Sequence, residues 1–540
     1  MSAVPPAAAD VLIVGAGASG SIAARYLAEH GFDVVCLEQG GWTDSSPFAS
    51  TDDWELRAAS SWHPDPNVRG LDADYPCEVS EAEIHPLMYN AVGGSTVHFA
   101  AEWPRLMPSD FRVRTMDGIA DDWPLDYEEL APYYARTEAM LGVTGLAGDP
   151  SYPDGAPPPL PPLSIGPAGR RAAQGMNELG WHWWPGSHAI ASSAWGRQNP
   201  CARRGICMWG CPEGAKSSFD VSVWPDALAA GARVVTEARV QEILVDERGR
   251  ASGAVWLDRA GGAHRCRAGL VILAANGVGT PRLLLASASS RHPEGLANSS
   301  GLVGRRLMMH PCVTVLGAYE EPLESWLGPW GGPLRSHEFY ETDWDRGFPR
   351  GAKWSTAPLP GPATLLSRLG VIDPSLVRGE EVHRSIERFL GRSFEWAVSI
   401  EDMPDEDNRV TLDPALTDGS GLPAPKISYR VSEWSRLNLE WQLERVHMAH
   451  EAAGAVGTWT FDWMPEVGWH LLGTARMGDD PETSVVDRWG AAHDVDNLYV
   501  IDGSVFVTSG SANPTATICA IALRAAERIT AEAGRTAVAS

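Results

Sequence analysis

The 540-residue sequence lacks any run of about 18 apolar residues, and its N-terminus lacks a basic segment followed by an apolar stretch and a cleavage site. These absences argue against a transmembrane helix and a secretory signal, so we expect a soluble, cytoplasmic protein without a membrane partner. Basic residues are also few, because 43 Lys and Arg stand against 69 Asp and Glu, a formal net charge of −26. So acidic a chain is not expected to bind nucleic acid.

Cysteine is sparse: eight residues in so long a chain are too few for a disulfide scaffold. Tryptophan is abundant instead, with 23 residues spread along the whole sequence. Residues so dispersed cannot all line one pocket, so we expect most of them to fill the core. The aromatic candidates for a substrate pocket are Phe339, Tyr340, Trp344 and Trp354, which core packing explains equally well.

Residues 10–40 carry the strongest local pattern. The apolar run 11–14 predicts a buried parallel strand, and it leads into Gly15, Gly17 and Gly20 in G-x-G-x-x-G spacing. A helix-like stretch and a second strand follow, and the second strand delivers Glu38. Glycines at this turn let the backbone approach a pyrophosphate, and an acid at this distance binds ribose hydroxyls. The order of these elements predicts a dinucleotide-binding unit.

Three further segments have related features. Residues 89–99 contain a glycine pair followed by Ser95 and Thr96, which suits contact with a flavin or a pyrophosphate. Residues 270–287 predict a second unit of strand, glycine loop and helix, with Thr280 as the N-cap of the helix. Residues 498–503 predict a strand that ends in Asp502, before a final Ala-rich helix.

Taken in order, these motifs resemble the glucose–methanol–choline (GMC) family of FAD oxidoreductases. The resemblance extends from residue 11 to residue 533. The matching segments are the opening glycine fingerprint, 92–96, 279–285, 468–478, 500–504 and 511–517.

The resemblance implies an α/β fold, with a Rossmann-like FAD-binding domain of discontinuous segments and an α+β substrate-binding domain built on an antiparallel sheet. Together with the composition it divides the chain into three kinds of segment. Residues 1–150, 201–311 and 469–540 are expected to form the FAD-binding domain, residues 151–200 a Pro-rich linker, and residues 312–468 the substrate-binding domain.

The family's cofactor contacts transfer to matching positions. The ADP half of FAD is expected on Gly15, Gly17, Gly20 and Glu38, with Val240 as a backbone contact to the adenine. The remaining contacts implied by the resemblance lie toward the pyrophosphate and the flavin: Gly94, Ser95, His98, Asp502, Gly503, Asn513 and Thr515.

The family's catalytic pair, a histidine followed by a second histidine or an asparagine, corresponds to His470 and Asn513. Alcohol oxidation requires a base that takes the hydroxyl proton while hydride leaves the carbon for flavin N5, and a histidine can be that base. Asn513 can hold the same oxygen, and Pro514 fixes the chain after it.

His98 lies four residues after Gly94, at the position from which some family members attach the flavin covalently. Both alternatives remain open from the sequence: FAD linked covalently through His98, or an unlinked histidine beside the isoalloxazine ring.

Cys201, Cys207 and Cys211 form a second open case. Their segment resembles the one that binds a three-iron cluster in FAD sugar dehydrogenases of the family, and thiolates on a short loop can hold such a cluster. The alternative is a loop of reduced cysteines. Zinc is disfavoured, because a fourth ligand at finger spacing is missing.

We therefore expect an FAD-dependent oxidoreductase that moves hydride from the CH–OH carbon of a sugar, glycoside or other polyol, with electrons passing to O₂ or another redox partner. The alternatives are an oxidase or dehydrogenase of aryl or aliphatic alcohols, and a non-redox FAD lyase similar to hydroxynitrile lyases.

Overall fold

The computed structural model describes residues 6–43, 55, 61–359, 361–461 and 465–539. Its strands are β1 (Ala8–Val14), β2 (Val34–Leu37), β3 (Glu78–Ala82), β4 (Trp184–Pro185), β5 (Arg233–Val235), β6 (Arg239–Val245), β7 (Ala251–Leu257), β8 (Ala263–Leu273), β9 (Cys312–Ala318), β10 (Leu334–Ser336), β11 (Ala352–Ala357), β12 (Ser393–Ile400), β13 (Arg409–Thr417), β14 (Pro423–Tyr429), β15 (Gly457–Phe461) and β16 (Leu498–Val500). Its α-helices span Ala18–Glu29, Pro66–Arg69, Val113–Asp117, Tyr127–Leu141, Gly166–Leu179, Phe219–Ser222, Trp224–Ala229, Asn276–Ala286, Pro362–Ile372, Glu381–Phe389, Glu433–Ala452 and Thr515–Ala539.

A seven-stranded sheet with a parallel centre forms the first layer. Its order is β5-β2-β1-β8-β7-β6, and β16 pairs in parallel with the carboxyl-terminal half of β8. The predicted strand at 11–14 is fully buried, and the helices Ala18–Glu29 and Thr515–Ala539 pack against each other beside it. This layer confirms the Rossmann-like α/β fold that the glycine fingerprint predicts.

The parallel strands fix where the sequence motifs meet. Because β1, β2, β8 and β16 run in the same direction, their carboxyl ends lie at one edge of the sheet. Gly15, Glu38, Ala274 and Asp502 follow those ends within two residues.

A six-stranded antiparallel sheet forms the second large layer, in the order β15-β9-β12-β11-β10-β4. One face packs against the helices Gly166–Leu179 and Glu433–Ala452 through a core that contains Trp354 and Trp396. The opposite face is the one that matters for the site described below. A three-stranded sheet, β13-β14-β3, lies beside the helix Asn276–Ala286.

The expected segment boundaries stay predictions, but the 151–200 segment contains regular structure. The helix Gly166–Leu179 and strand β4 both belong to the layer of the six-stranded sheet. Within the described residues, no helix combines the length and the apolar character needed to cross a bilayer.

One helix start differs from its prediction. The helix after β8 begins at Asn276, whose φ is +67°, and not after Thr280. Thr280 lies inside the helix, where its hydroxyl donates to Asp502 Oδ2 at 2.6 Å. The Thr-Pro pair in the sequence therefore reflects a tertiary contact and not a helix cap.

Candidate active site

A cavity of about 1000 Å³ lies between the carboxyl-end edge of the seven-stranded sheet and the free face of the six-stranded sheet. Its walls combine residues from the opening fingerprint, the second glycine loop, strands β9, β11 and β12, and the C-terminal segment. Of the predicted site residues, twelve line it: Gly15, Gly17, Glu38, Gly94, Ser95, His98, Val240, His470, Asp502, Gly503, Asn513 and Thr515.

The glycine fingerprint forms a close-packed cradle. A Cβ on Gly15 would lie 2.4 Å from the carbonyl oxygen of Ala274, and Gly15 has a φ of +103°. Gly20 lies behind the cavity wall, where a Cβ would come within 2.0 Å of the Gly15 carbonyl oxygen. Gly15 is therefore required by the close approach of the loop to the residue after β8, and Gly20 by the close approach of the helix to the loop. Both agree with the roles that the fingerprint assigns to these glycines.

The glycine pair Gly93-Gly94 lies against the opening glycine fingerprint. Gly94 has a φ of +56°, and a Cβ there would lie 2.9 Å from Gly17 Cα. Ser95 Oγ accepts a hydrogen bond from Tyr89 N at 3.1 Å. Residues 15–20 and 93–97, which are far apart in sequence, therefore form one continuous wall.

Glu38 is oriented by the backbone around it. Its Oε2 accepts from Ala16 N and its Oε1 from Gly40 N, both at 2.9 Å. Burial raises the pKa of Glu38 to about 7, while these backbone donors oppose the shift. Carboxylate oxygens have lone pairs beyond these two bonds, so Glu38 can still accept from ribose hydroxyls.

Asp502 connects two segments of the wall. Its Oδ2 accepts from Asn276 N at 3.0 Å and from the Thr280 hydroxyl, and its Oδ1 accepts from Ser504 N and Oγ. An aspartate with four donors holds the second glycine loop against residues 503–505. The sequence predicted Asp502 only as a contact toward the pyrophosphate and the flavin, and did not predict its hydrogen bonds to Asn276, Thr280 and Ser504.

His470 faces a second histidine because of an isolated antiparallel bridge between two loop segments. Met308 and Leu472 form an antiparallel bridge, so His310 and His470 lie opposite each other. Their Nδ1 atoms are 2.7 Å apart, and His310 Nε2 lies 2.6 Å from the Gly510 carbonyl oxygen.

These contacts define the proton positions on both rings. A carbonyl only accepts, so His310 Nε2 carries a proton and donates to Gly510, which leaves His310 Nδ1 as an acceptor in the neutral ring. His470 must then donate from Nδ1, and its Nε2 is the unprotonated nitrogen. The pKa of His470 lies well below its ordinary value of 6.5, through burial first and then because the neighbouring His310 and the Lys353 ammonium disfavour a second positive charge there.

Asn513 is held by a lysine that sequence reasoning missed. Lys353 Nζ donates to Asn513 Oδ1 and forms an ion pair with Glu102. With its oxygen occupied, Asn513 directs Nδ2 toward His470 Nε2 at 3.4 Å. Ser511 Oγ donates to Gly351 O at 3.0 Å, which fixes the segment 511–513 beside the start of β11.

His98 is buried beside the aromatic rings of Tyr89 and Trp62. Its Nδ1 donates to Met208 O at 2.9 Å, so Nε2 is the unprotonated nitrogen. Within the part of the chain that the structure describes, this Nε2 has no hydrogen-bond partner. Burial, together with Lys216, lowers the pKa of His98 to about 3.

The three clustered cysteines line a second, much smaller cavity of about 20 Å³. Burial raises the pKa of Cys207 to about 12, and its sulfur accepts from Trp330 N at 3.4 Å. Among the described side chains, no group of three or more His, Cys, Asp or Glu residues is placed to hold a metal ion.

The aromatic candidates for the substrate end are not in the cavity wall. Phe339 and Trp354 pack in the core beneath the six-stranded sheet, Tyr340 is buried on Asp110, and Trp344 is exposed on the surface. Polar residues line the cavity wall beside the six-stranded sheet, together with Ala357 and Ala397: Thr314, Ser355, Glu395 and Ser399 on the strands and Arg368 on the helix Pro362–Ile372. Alternation along β9, β11 and β12 directs the strand residues to this face, whereas Trp354 and Trp396 occupy the other.

The residues present fit FAD. The glycine contacts leave no room for Cβ atoms beside the backbone, Glu38 keeps acceptor capacity, and the cavity continues from this cradle to His470 and Asn513.

Comparison with known proteins agrees with this architecture. Models of the GMC oxidoreductase family match residues 163–312 and 404–522, and a model of NAD(P)-binding Rossmann-like domains matches residues 13–71. The fold is similar to that of formate oxidase from Aspergillus oryzae RIB40, with a TM-score of 0.66, 16% identity, and coverage of 98% of this chain and 99% of that one.

Sequence relatives extend over almost the whole chain. The chain is 41% identical to a 2-methyl-1,2-propanediol dehydrogenase from Mycolicibacterium austroafricanum, covering 96% of this chain and 95% of the relative. It is 30% identical to the fructose dehydrogenase large subunit of Gluconobacter japonicus (96% and 97% covered) and 32% identical to paromamine 6'-oxidase of Streptomyces fradiae (96% and 91% covered). The chain therefore belongs to the GMC oxidoreductase family, whose members bind FAD, and is an oxidoreductase.

Proposed function

We propose that this protein oxidises the CH–OH carbon of a polyhydroxylated alcohol with FAD as its cofactor and His470 as the base. The observation that carries the proposal is the hydrogen-bond chain from Gly510 through His310, which leaves His470 Nε2 unprotonated beside the Asn513 amide.

In this proposal the ADP half of FAD binds on Gly15, Gly17 and Glu38, with Gly20 packed behind the loop and Val240 beside the adenine. The flavin end is held by Gly94, Ser95, Gly503 and Thr515, and Asp502 acts by holding the second glycine loop in place. FAD, when bound, supplies the acceptor for the hydride that leaves the carbinol carbon.

The proton is handled by the chain's own residues. When substrate binds, its hydroxyl replaces the long 3.4 Å contact of Asn513 with His470 Nε2, and that nitrogen accepts the hydroxyl proton. Asn513 Nδ2 then donates to the substrate oxygen and holds it still. His310 Nδ1 accepts a hydrogen bond from His470 Nδ1–H throughout. The His470 ring therefore keeps its orientation as it becomes positively charged. Lys353 keeps the Asn513 amide from turning over.

The polar wall favours a sugar, glycoside or other polyol over an aryl or aliphatic alcohol. Hydroxyl and charged side chains on β9, β11 and β12 can exchange hydrogen bonds with several substrate hydroxyls. The activities named for the relatives, on a diol, on fructose and on paromamine, support the same class. The electron acceptor is O₂ or another redox partner.

Anaerobic mixing of the purified holoenzyme with sugars, glycosides, aminoglycosides and simple or aryl alcohols tests the proposal. We expect polyols to bleach the oxidised flavin band, and readmitted air then separates an oxidase from a dehydrogenase. If dithionite bleaches the flavin and no alcohol does, alcohol oxidation is wrong. A cyanohydrin cleavage assay then tests the alternative of a non-redox lyase.

We further propose a covalent bond between His98 and the flavin. Support comes from an unprotonated, buried Nε2 that faces the cavity without a partner among the described residues. After acid precipitation, a yellow pellet in the wild type and a yellow supernatant in His98→Ala support the bond. A yellow supernatant from the wild type contradicts it.

An iron–sulfur cluster on Cys201, Cys207 and Cys211 is one of the two alternatives that the sequence leaves open, the other being a loop of reduced cysteines, and the three side chains meet at one small cavity. The cysteines do not fit a cluster as they lie, because about 20 Å³ is room for roughly one water molecule. The loop would have to widen, so no step of the reaction is assigned to a cluster. Stoichiometric iron and acid-labile sulfide in anaerobically prepared protein support the cluster, whereas trace amounts leave a loop of reduced thiols.

A further inference from the structure

The free face of the six-stranded sheet presents three rows of side chains to the cavity. Ser399 on β12 lies opposite Lys353 on β11 and Cys312 on β9, which forms the row next to the candidate catalytic residues. Ala397 lies opposite Ser355 and Thr314 in the next row. Glu395 follows two residues further along the same face.

Two polar residues on this face are buried, and each has one side-chain atom without a hydrogen-bond partner among the described residues. Thr314 is 8% exposed and Glu395 is 2% exposed. Neither Thr314 Oγ1 nor Glu395 Oε1 accepts or donates a hydrogen bond to any residue that the structure describes. A buried polar atom without a hydrogen bond costs free energy, and Glu395 Oε1 has only a long ion-pair contact with Arg368, so the two groups facing the cavity indicate a bound group that supplies the missing hydrogen bonds.

The two groups are close enough to serve one ligand. Glu395 is the diagonal neighbour of Thr314 across β9 and β12, and such neighbours are about 7–8 Å apart. A ligand hydroxyl between them can accept from the Thr314 hydroxyl and donate to the Glu395 carboxylate.

Charge at this position favours a neutral group. Arg368, on the helix Pro362–Ile372, places Nε 3.5 Å from Glu395 Oε1. The carboxylate is thus already next to one cation, and an ammonium group would be repelled by the guanidinium. Burial raises the pKa of Glu395, and Arg368 opposes that shift.

This polar pair is separated from the site of proton transfer. Four residues of extended strand between Ser399 and Glu395 span about 13 Å along β12. The row of Ala397, Ser355 and Thr314 lies between Ser399 and Glu395, and residues of all three rows line one cavity. Both regions therefore belong to the same chamber.

We propose that Thr314 and Glu395 form a distal hydroxyl subsite, which selects substrates that carry an uncharged hydroxyl group remote from the carbinol carbon being oxidised. The inference rests on the proposed function, because it assigns a second contact for the same substrate. It defines the substrate class as extended, neutral polyols.

Anaerobic stopped-flow measurement of flavin reduction with six-carbon alcohols tests the subsite in the holoenzyme. We expect 1,6-hexanediol to reduce the flavin with an apparent second-order rate constant roughly ten-fold above that of 1-hexanol, the effect of one hydrogen bond to a charged group. 1,2-Hexanediol, whose second hydroxyl lies next to the reacting carbon, should show no such gain. 6-Amino-1-hexanol should react more slowly than 1,6-hexanediol.

Variants assign the gain to the two side chains. In Thr314→Val, which keeps the shape of the side chain, and in Glu395→Gln, the ratio of 1,6-hexanediol to 1-hexanol should fall toward one. Thr411→Val on β13 makes the same chemical change outside the cavity and should keep the wild-type ratio.

The outcomes separate the two proposals. A wild-type ratio near one, a ratio unchanged in both cavity variants, or a faster reaction with 6-amino-1-hexanol overturns the subsite while leaving alcohol oxidation intact. Failure of every alcohol to reduce the flavin overturns the proposed function and the subsite with it.

Discussion

The Nδ1 atoms of His310 and His470 lie 2.7 Å apart, and the carbonyl of Gly510 sets the direction of the hydrogen bond between them. This hydrogen bond sets the tautomer of His470, so that its Nε2 is unprotonated and the ring can act as a base while it is still neutral. Burial lowers the pKa of His310 to about 4, so the partner stays neutral at ordinary pH.

Replacing that partner should slow the reaction. In His310→Leu, the His470 Nδ1 proton has no acceptor and the ring can adopt the wrong tautomer. We expect flavin reduction to slow by roughly 10- to 100-fold, the scale seen when an orienting partner of a functional histidine is removed. FAD content and melting temperature should stay near wild type. A rate within two-fold of wild type would show that His310 does not position the base.

Lys353 should control the pH dependence. Its positive charge contributes to the low pKa of His470, and the base must be unprotonated to act. The acid limb of flavin reduction should therefore lie below pH 6.5 in the wild type and move to higher pH in Lys353→Met. The rate should also fall, because Asn513 loses the donor to its Oδ1.

A matched lysine provides the control for this experiment. Lys426 on β14 pairs with Glu81 at the surface, so Lys426→Met should leave the acid limb in place. An acid limb that does not move in Lys353→Met, or that moves to lower pH, contradicts the proposed electrostatics.

The positions of the fingerprint residues can be predicted from the sequence because they depend on interactions between residues close together in the chain. The fingerprint glycines and Glu38 act through turns and strand ends within a few tens of residues, so their spacing predicts their positions. His310 and Lys353 were missed because their importance arises from register: an antiparallel bridge at Met308 and Leu472, and the fixing of residue 511 on Gly351. The sequence contains one weak indication of the importance of Lys353, because it is a single cation in the otherwise uncharged strand β11.

The sequence left the lining of the pocket open for a related reason. Phe339 and Trp354 were candidates that core packing explained equally well, and they pack beneath the sheet while Thr314 and Glu395 occupy its free face. A strand directs successive side chains to opposite faces, so residue type without register cannot assign the pocket.

The cradle should tolerate no side chain at Gly20. A Cβ would lie 2.0 Å from the Gly15 carbonyl oxygen, so Gly20→Ala must displace the loop from its helix. We expect purified Gly20→Ala to retain little FAD, measured by the ratio of flavin to protein absorbance. Gly534→Ala, where a Cβ meets nothing within 4 Å, should retain wild-type flavin. Full flavin content in both variants would contradict the packing argument.

A buried charge cluster should dominate stability at the junction between the layers. Arg350 bonds to Asp110 from the first segment and to Glu401 after β12, all three almost fully buried. Removing one partner leaves uncompensated buried charge, so Arg350→Leu should lower the free energy of unfolding by about 3–5 kcal/mol. Denaturant unfolding of the holoprotein measures this. A loss below about 1 kcal/mol, the scale of an exposed pair, would contradict it.

The most direct test of the account is anaerobic flavin reduction in the wild type and in His470→Ala, with 1,6-hexanediol either normal or deuterated at the carbinol carbons. We predict that deuteration slows the wild-type reaction several-fold and that His470→Ala, with FAD still bound, is slower by roughly 10²- to 10⁴-fold. A His470→Ala rate within a few-fold of wild type would contradict the assignment of the base. Equal rates for the two isotopic forms would contradict hydride loss from the CH–OH carbon as the slow step.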